Sequence, residues 1–302
     1  MSTSLPKSAY YIRNDAITLL QGSDSTEVLE RLVTTKISDM QDLTRRDALF
    51  CDYNGRICDM ASIYTISSSI LLSSSDSVSG ETRRKLVDGR SWDEECEILV
   101  ADNAIFRITV FPDEYGDSIK MFGVEIEGLS ADSLLEKDDH LFVKNSTSDG
   151  IFFDIIVKFE NLAGVLSTLS KHEYDEMDQK VWNNTRMMLG LREISDSKGQ
   201  LPNEIGLGSL ISNDKGCYPG QEIHARLESR GRKIKTLCRI TGDYPIKLGK
   251  HNTSNFGTVS ISSAMHLDGE AIAFALIRLG DDPAESVEID GKQYIIEILG
   301  YP

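Results

Sequence analysis

The sequence predicts an α+β protein that ends in a small all-β, barrel-like region. Three observations lead there. Asn54-Gly55 and Asp290-Gly291 each lie between apolar or alternating runs, and Asn-Gly and Asp-Gly are the preferred pairs of two-residue type I′ hairpins. Strand-like runs in the first half give way to helical periodicity and then to strands again, an order that suits sheets with helices on one face rather than a doubly wound nucleotide fold. Beyond Gly231 only strand patterns remain, so a C-terminal domain is expected to begin near residue 232.

The elements follow in order. Asp24 and Glu27 resemble a capping box, and Val28, Leu29, Leu32 and Val33 recur at helical spacing, predicting a helix over 24–36. Residues 48–53 and 57–66 flank Asn54-Gly55 as hairpin strands. The serine-rich stretch 67–80 reads as loop and helix cap around a short strand at 70–72, with a basic helix over 81–88. Runs at 98–100, 105–111, 121–126 and 151–157, split by Asp, Asn and Gly, read as strands. Helices are expected at 159–171 and 173–189, and a final hairpin joins 287–289 to 294–298.

Composition bounds the function. The 302 residues allow a substantial core and two or three domains. With 32 Lys+Arg against 48 Asp+Glu the net charge is −16, which argues against sequence-independent binding to nucleic acid or anionic membranes. A local basic run remains, since Arg226, Arg230, Arg232, Lys233, Lys235 and Arg239 put six positive charges within fourteen residues. It reads either as a solvated surface or as a place to hold a ligand's carboxylates. Five widely spaced cysteines without a C-x-x-C pair point to a reducing compartment. His172, His224 and the other histidines form no spaced cluster with cysteines or carboxylates, so no metal site is expected. Residues 1–20 lack the apolar core of a signal peptide, and no stretch reaches the roughly 20 apolar residues of a membrane span. The expectation is a soluble, cytoplasmic protein.

Residues 215–222 read Lys-Gly-Cys-Tyr-Pro-Gly-Gln-Glu. Gly216 and Gly220 can take backbone angles closed to other residues and Pro219 fixes its own φ, predicting a tight, sterically bare turn in which a ligand can touch backbone. Residues 221–230 have helix-forming composition, which places the turn at a helix N-terminus, where orphan N–H groups and the dipole favour acceptors. Cys217, beside Lys215, would then lie where a thiolate is favoured; a lone cysteine is also common core filler.

This octapeptide resembles the K-G-C-[FY]-x-G-Q-E signature of the YgfZ family, folate-binding relatives of the glycine-cleavage aminomethyltransferase (T-protein). Trp182, Arg186, Leu189, Gly190 and Leu191, followed by Leu201, Pro202, Asn203 and Glu204, resemble the family's W-x-x-x-R-x-x-x-G segment and its P-x-E. Residues 16–37 and then Asn54-Gly55-Arg56-Ile57 resemble the opening shared by the superfamily. The resemblance implies an aminomethyltransferase-like fold with ferredoxin-like or antiparallel sheet subdomains, a folate-binding α+β region over 1–231 in two interleaved subdomains, and a C-terminal β-barrel domain over 232–302. It implies tetrahydrofolate or a derivative as cofactor and a role in making or maintaining iron–sulfur enzymes, some of them tRNA-modifying, as client partners, with Cys217 required.

The resemblance also assigns residues. A pteridine presents adjacent N–H and NH₂ donors that a single carboxylate accepts together, and the matching P-x-E gives that role to Glu204. Arg186, by itself a surface arginine with a covering stem, becomes a second folate contact. Lys215, Gly216, Tyr218, Gly220, Gln221, Glu222 and Arg226 join it from the cysteine loop and its helix, where Gln221 and Glu222 read equally as residues of a polar first turn. Tyr10, Tyr11 and Tyr53 suit either stacking on a heterocycle or the core. Catalytic T-proteins resemble G-G-x-x-D-D-L after the hairpin turn; here Asp59 is the one acidic residue left and Met60 replaces its neighbour, while Val33-Thr34-Thr35-Lys36-Ile37 replaces the family's L-T-N-D-V. Three readings stand: a folate-binding protein serving iron–sulfur enzymes through Cys217, a folate-dependent aminomethyltransferase using Asp59 as base, and a non-catalytic interaction module.

Overall fold

Apolar alternation resolves into three sheets in the computed structural model, which describes residues 5–113, 119–125, 129–230, 235–253, 256–278 and 285–300. The first has six strands in the order Asp175–Glu176, Ala9–Ile12, Ile105–Phe111, Ile151–Lys158, His140–Ser146, Leu134–Lys137. Its pairs are antiparallel apart from the edge pair of Ala9–Ile12 with Asp175–Glu176. Tyr10, Ile108, Val110, Ile155 and Val157 bury one face against Val165 and Leu169 of the helix Phe159–Lys171. The second has five antiparallel strands, Thr44–Cys51, Ile57–Ile66, Ser69–Ser75, Asp15–Gln21 and Glu97–Val100. Leu20, Phe50, Ile63 and Leu72 pack there against the helices Ser25–Glu30 and Ser79–Gly89. The chain starts in the first sheet, builds the second, and returns to the first at Ile105.

The third sheet holds six antiparallel strands in the order Gly249–Thr253, Gly257–Leu267, Glu270–Ile277, Thr236–Gly242, Lys292–Ile298, Ser286–Ile289. It curls into a half-barrel around Ile240, Val259, Ala273, Ala275 and Val287. The curl brings the outer strands together, with His251 Nδ1 3.4 Å from Asp290 Oδ2.

Several expected elements change for identifiable reasons. The first helix runs only from Ser25 to Glu30, and Asp24 accepts from Glu95 N at 2.7 Å instead of capping it. Thr34 and Thr35, β-branched and buried, leave the helix to bond the chain at Leu210. The Asn54-Gly55 turn is not type I′, because only Gly55 has positive φ (72°); Asp52 N donates to Arg56 O at 2.9 Å across a three-residue loop. At the second hairpin both Asp290 (51°) and Gly291 (72°) have positive φ, as type I′ requires. The serine-rich stretch forms a full strand, Ser69–Ser75. Residues 120–122 form a 3-10 turn ended by Gly123 at φ 66° rather than a strand, and residue 126 lies outside the described residues. The fourth helix starts at Gln179, where the Asp178 side chain accepts from Val181 N. The expected start of the C-terminal region near 232 lies outside the described residues.

Two buried arginines tie the half-barrel to the rest. Arg239 of Thr236–Gly242 pairs with Asp149 at 3.1 Å and with Glu297 at 2.6 Å, so it belongs to this joint and not to a basic surface. Arg232 and Lys233 of that predicted run lie outside the described residues. Arg186 of the helix Gln179–Met188 reaches Asp196 Oδ2 at 2.8 Å and Ser263 Oγ at 2.8 Å, while Asp196 Oδ1 accepts from Ser262 Oγ at 2.7 Å. Asp196→Ala removes the closer of the two carboxylates paired with the buried Arg186, leaving Glu193 at 3.5 Å, and is expected to cost about 3 kcal/mol of unfolding free energy, measured by urea denaturation. A loss below about 1 kcal/mol would show that the joint is not structural.

Candidate functional site

A cavity of about 690 Å³ lies between the first two sheets and the segment that follows the helix Gln179–Met188. Ligand pockets commonly have this size and mix apolar walls with a few placed polar groups. Met60, Ala61 and Ser62 line it from Ile57–Ile66, Ser73 to Ser75 from the serine strand, and Thr35, Leu210 and Ser212 from the second sheet's margin. Ser73, Ser74 and Ser75 put polar side chains on both faces of the strand, so this stretch carries no apolar alternation, which hid the strand in the sequence.

The opposite wall is built on Trp182. Tyr11 stacks on it at 5.0 Å with a 5° angle between rings, and the Arg13 guanidinium lies 4.4 Å from the same ring. Tyr11 is buried, consistent with the core reading, and also lines the cavity; Tyr53 is 88% exposed and does not. Trp182 Nε1 donates to Glu193 Oε1 at 3.0 Å, and Glu193 stands on the cavity wall with Gly190, Leu191 and Arg192. Nothing in the sequence pattern singled out Glu193, although it follows closely on the Trp-Arg-Gly segment.

Several charges on the wall are paired. Arg45 grips Asp47 at 2.7 Å, and Ser62 Oγ donates to Asp47 Oδ1 at 2.6 Å. Arg107 bridges Asp15 at 3.2 Å and Asp154 at 2.7 Å. Burial alone would raise the pKa of Asp154, but Arg107, with help from Thr109, outweighs it and holds the carboxyl below its ordinary value.

Among the site residues expected from sequence, Asp59, Arg186, Glu204, Lys215, Gly216, Cys217, Tyr218, Gly220, Gln221, Glu222 and Arg226, none lines this cavity. Asp59 points the other way from Met60: its carboxylate accepts from Met60 N at 2.8 Å and Thr82 Oγ1 at 2.5 Å, against the helix Ser79–Gly89. Burial raises its pKa, opposed by these donors, and it is closed to solvent. Arg186 is spent on Asp196 and Ser263 and lies 3.5 Å from Glu193 Oε2. Glu204 lies half-buried in the 3-10 turn Pro202–Ile205. Glu222 and Arg226 are exposed, and Gln221 opens the helix Gln221–Arg230 as expected.

The cysteine loop is instead a docked structural unit with an exposed tip. At Gly220, φ is +83° and an added Cβ would fall 2.4 Å from Gly55 Cα and 2.6 Å from Asp52 O, so the loop lies backbone against backbone on the hairpin turn. At Gly216 a Cβ would meet open space, so the bare turn is needed only at Gly220. The Gly55 carbonyl only accepts, so His224 Nε2 carries the hydrogen and donates to it at 2.8 Å; Nδ1 then accepts from the Tyr218 hydroxyl at 3.1 Å. His224, unremarkable in the sequence, is thus the buried pin of the loop. Lys215 turns inward, donating to the carbonyls of Glu30, Val33 and Thr35 at 2.7, 2.6 and 3.1 Å, and burial brings its pKa down to about 8 against the pull of Glu30. Cys217 is exposed, and the other four cysteines are buried.

A tRNA-modifying protein YgfZ from Escherichia coli O157:H7 is 24% identical over 331 residues, spanning 99% of this chain and 95% of the relative. The protein of the same name from Escherichia coli SMS-3-5 matches with the same identity and coverage. The crystal structure of glycine cleavage system aminomethyltransferase T from Bartonella henselae superposes with a TM-score of 0.80 at 11% identity, over 97% of this chain and 85% of that one. No protein-family model matches the chain. The resemblance read from the cysteine loop therefore extends along the whole chain, and the α+β fold it implied, an aminomethyltransferase fold with a curled C-terminal sheet, is the fold found. Among the described residues no helix is long and apolar enough to cross a membrane.

Two outcomes are expected from this site. Iodoacetamide should modify one thiol, Cys217, in the folded chain and all five after unfolding, counted by intact mass; modification of a second thiol under native conditions would contradict the burial described. His224 has a pKa lowered by burial, with the bond to Gly55 acting the other way. As pH falls below about 6.5 the unfolded chain takes up this proton first, so stability drops from there down to the native pKa and then levels off. Urea unfolding at about pH 7 and about pH 5 should show a smaller loss for His224→Asn than for the wild type. Equal losses would mean that His224 is not buried neutral.

Proposed function

We propose that this YgfZ-like chain binds tetrahydrofolate or a derivative in the central cavity and assists the synthesis or repair of iron–sulfur enzymes, tRNA-modifying ones among them, through the exposed thiol of Cys217. The observation that carries the reading is the cavity itself, about 690 Å³ and walled by Tyr11, Trp182, hydroxyls and carboxylates. A pteridine is flat, neutral and rich in hydrogen-bonding groups, and its adjacent N–H and NH₂ donors ask for one carboxylate with room to accept both. Glu193 meets that need better than Glu204. It stands on the wall, its side chain is one-third exposed, and besides the Trp182 indole and the first turn of the following helix it has only a loose pair with Arg186, whose Nε lies 3.5 Å from its Oε2. Asp15 and Asp47 are more enclosed and held by arginines at shorter range, 3.2 and 2.7 Å.

The aminomethyltransferase alternative asks for a carboxylate facing folate from the hairpin strand. That strand turns Met60 to the cavity and Asp59 to the helix behind it, so the observation favours binding without that chemistry. The iron–sulfur part of the reading draws on the family resemblance and on the names of the relatives; what supports it in this chain is one exposed thiol on an anchored loop.

Titration with tetrahydrofolate under reducing conditions, followed by the fluorescence of Trp182 against the 96% exposed Trp92, tests the proposal. Wild type and Cys217→Ser should bind alike, Glu204→Ala should bind within about twofold of wild type, and Glu193→Gln should bind about 10- to 100-fold more weakly. A flat titration of folded wild type would sink the folate reading and leave the interaction module. In cells lacking the chain, Cys217→Ser should fail to restore an iron–sulfur tRNA-modifying activity; full restoration would remove the thiol from the function.

A further inference from the structure

Segment 33–37 belongs both to the cavity wall and to the support of the cysteine loop. Thr35 lines the cavity beside Leu210 and Ser212. Behind that wall the carbonyls of Val33 and Thr35, with that of Glu30 at the end of its helix, receive the Lys215 ammonium at 2.6, 3.1 and 2.7 Å. An ammonium has three donors and accepts nothing, so these carbonyls use it fully. The Lys215 side chain has no solvent exposure, and the Glu30 carboxylate lies 3.8 Å away. The two stretches are further joined just upstream of the lysine. Ser212 N donates to Thr34 O at 3.0 Å, Lys36 N donates to Ser212 Oγ at 2.9 Å, and the hydroxyls of Thr34 and Thr35 donate to Leu210 O at 2.6 and 2.8 Å. Two residues beyond Lys215 comes the exposed thiol of Cys217.

We infer that Lys215 is a positioning residue for Cys217: its ammonium fastens the thiol's loop to the cavity wall, so that a ligand packed against Thr35, Leu210 and Ser212 is registered at the thiol. This coupling rests on the reading of the cavity as the folate site; the fastening itself does not. The route is short and continuous, running from the cavity surface of Thr35 through its carbonyl to Lys215 and along two peptide units to Cys217. Each link is a hydrogen bond or a covalent bond. A bound ligand that stiffens the wall reduces excursions of the loop, and an attached thiol then meets reagents less often.

Cys217 is the one exposed cysteine, so its alkylation by iodoacetamide in the full chain reads this loop alone. Saturating tetrahydrofolate is expected to slow that reaction by about fivefold or more in wild type. Lys215→Met should still bind tetrahydrofolate, because Lys215 does not line the cavity, yet lose the effect of ligand on the thiol. Lys215→Arg, which keeps charge and donors, should recover part of it. A ligand effect that persists undiminished in Lys215→Met, or loss of tetrahydrofolate binding in that variant while it remains folded, overturns the inference. Hydrogen exchange without ligand separates this from the fate of the folate proposal. Lys215→Met should speed exchange at both 33–37 and 212–218 and leave the helix 159–171 unchanged; no increase at either segment overturns the fastening whether or not folate binds.

Discussion

The contact of Gly220 with Gly55 is the constraint on which the arrangement of the functional surface depends. With an added Cβ at Gly220 only 2.4 Å from Gly55 Cα, no side chain fits between the cysteine loop and the hairpin turn, and the two backbones meet directly. The contact brings His224 within 2.8 Å of the Gly55 carbonyl, and His224 in turn holds Tyr218. Tyr218 and Lys215 bracket Cys217 and both are fixed from beneath, which leaves the intervening residues as the free rim of an anchored loop. A thiol held this way has a defined address on the surface, which a cysteine on an untethered loop lacks.

The cavity obeys a second constraint, charge balance. Arg45 is matched by Asp47, and Arg107 by Asp15 and Asp154. Burying a charge is costly unless it is paired and hydrogen-bonded, so these pairs are the condition for a polar cavity between sheets. Their consequence for recognition is that such a wall offers oriented donors and acceptors rather than a surplus of positive charge. It suits a flat, neutral heterocycle better than a bare anion, and this distinguishes it from the phosphate-cradling sites that the sequence already lacked.

Much of the fold was legible because apolar periodicity follows burial. The helix over 159–171 and the hairpin at Asp290-Gly291 come out as predicted, and the cysteine motif does open a helix. The site was less legible, for one physical reason repeated. Which face of an element looks into a polar cavity depends on tertiary neighbours, and polar cavities erase the alternation that would reveal them. Asp59 and Met60 are adjacent on one strand, so they take opposite faces, but nothing local says that the helix Ser79–Gly89 covers the face of Asp59. Ser73 to Ser75 carry no apolar signal although they lie in a central strand. Lys215 reads as a ligand cation until three carbonyls are seen to surround it. Glu193 is a surface-type residue whose place on the wall, with its carboxylate bonded to the Trp182 indole and 3.5 Å from Arg186, no local pattern reveals.

The separation of cavity and thiol bears on what the thiol meets. Cys217 does not line the cavity, and the carboxylate of Asp59, the expected base, is sealed behind the hairpin strand. A reaction on a cavity-bound ligand therefore draws on neither residue, whereas a macromolecule arriving from solution meets the loop at once. The exposed Tyr53 is carried on the hairpin turn against which the loop is docked. Cavity and thiol are thus different places on one frame, and the segment 33–37 is the element the two places share. That division also accounts for a cysteine motif that keeps Lys215, Tyr218 and Gly220 around the thiol, since each holds the loop in place from outside the cavity.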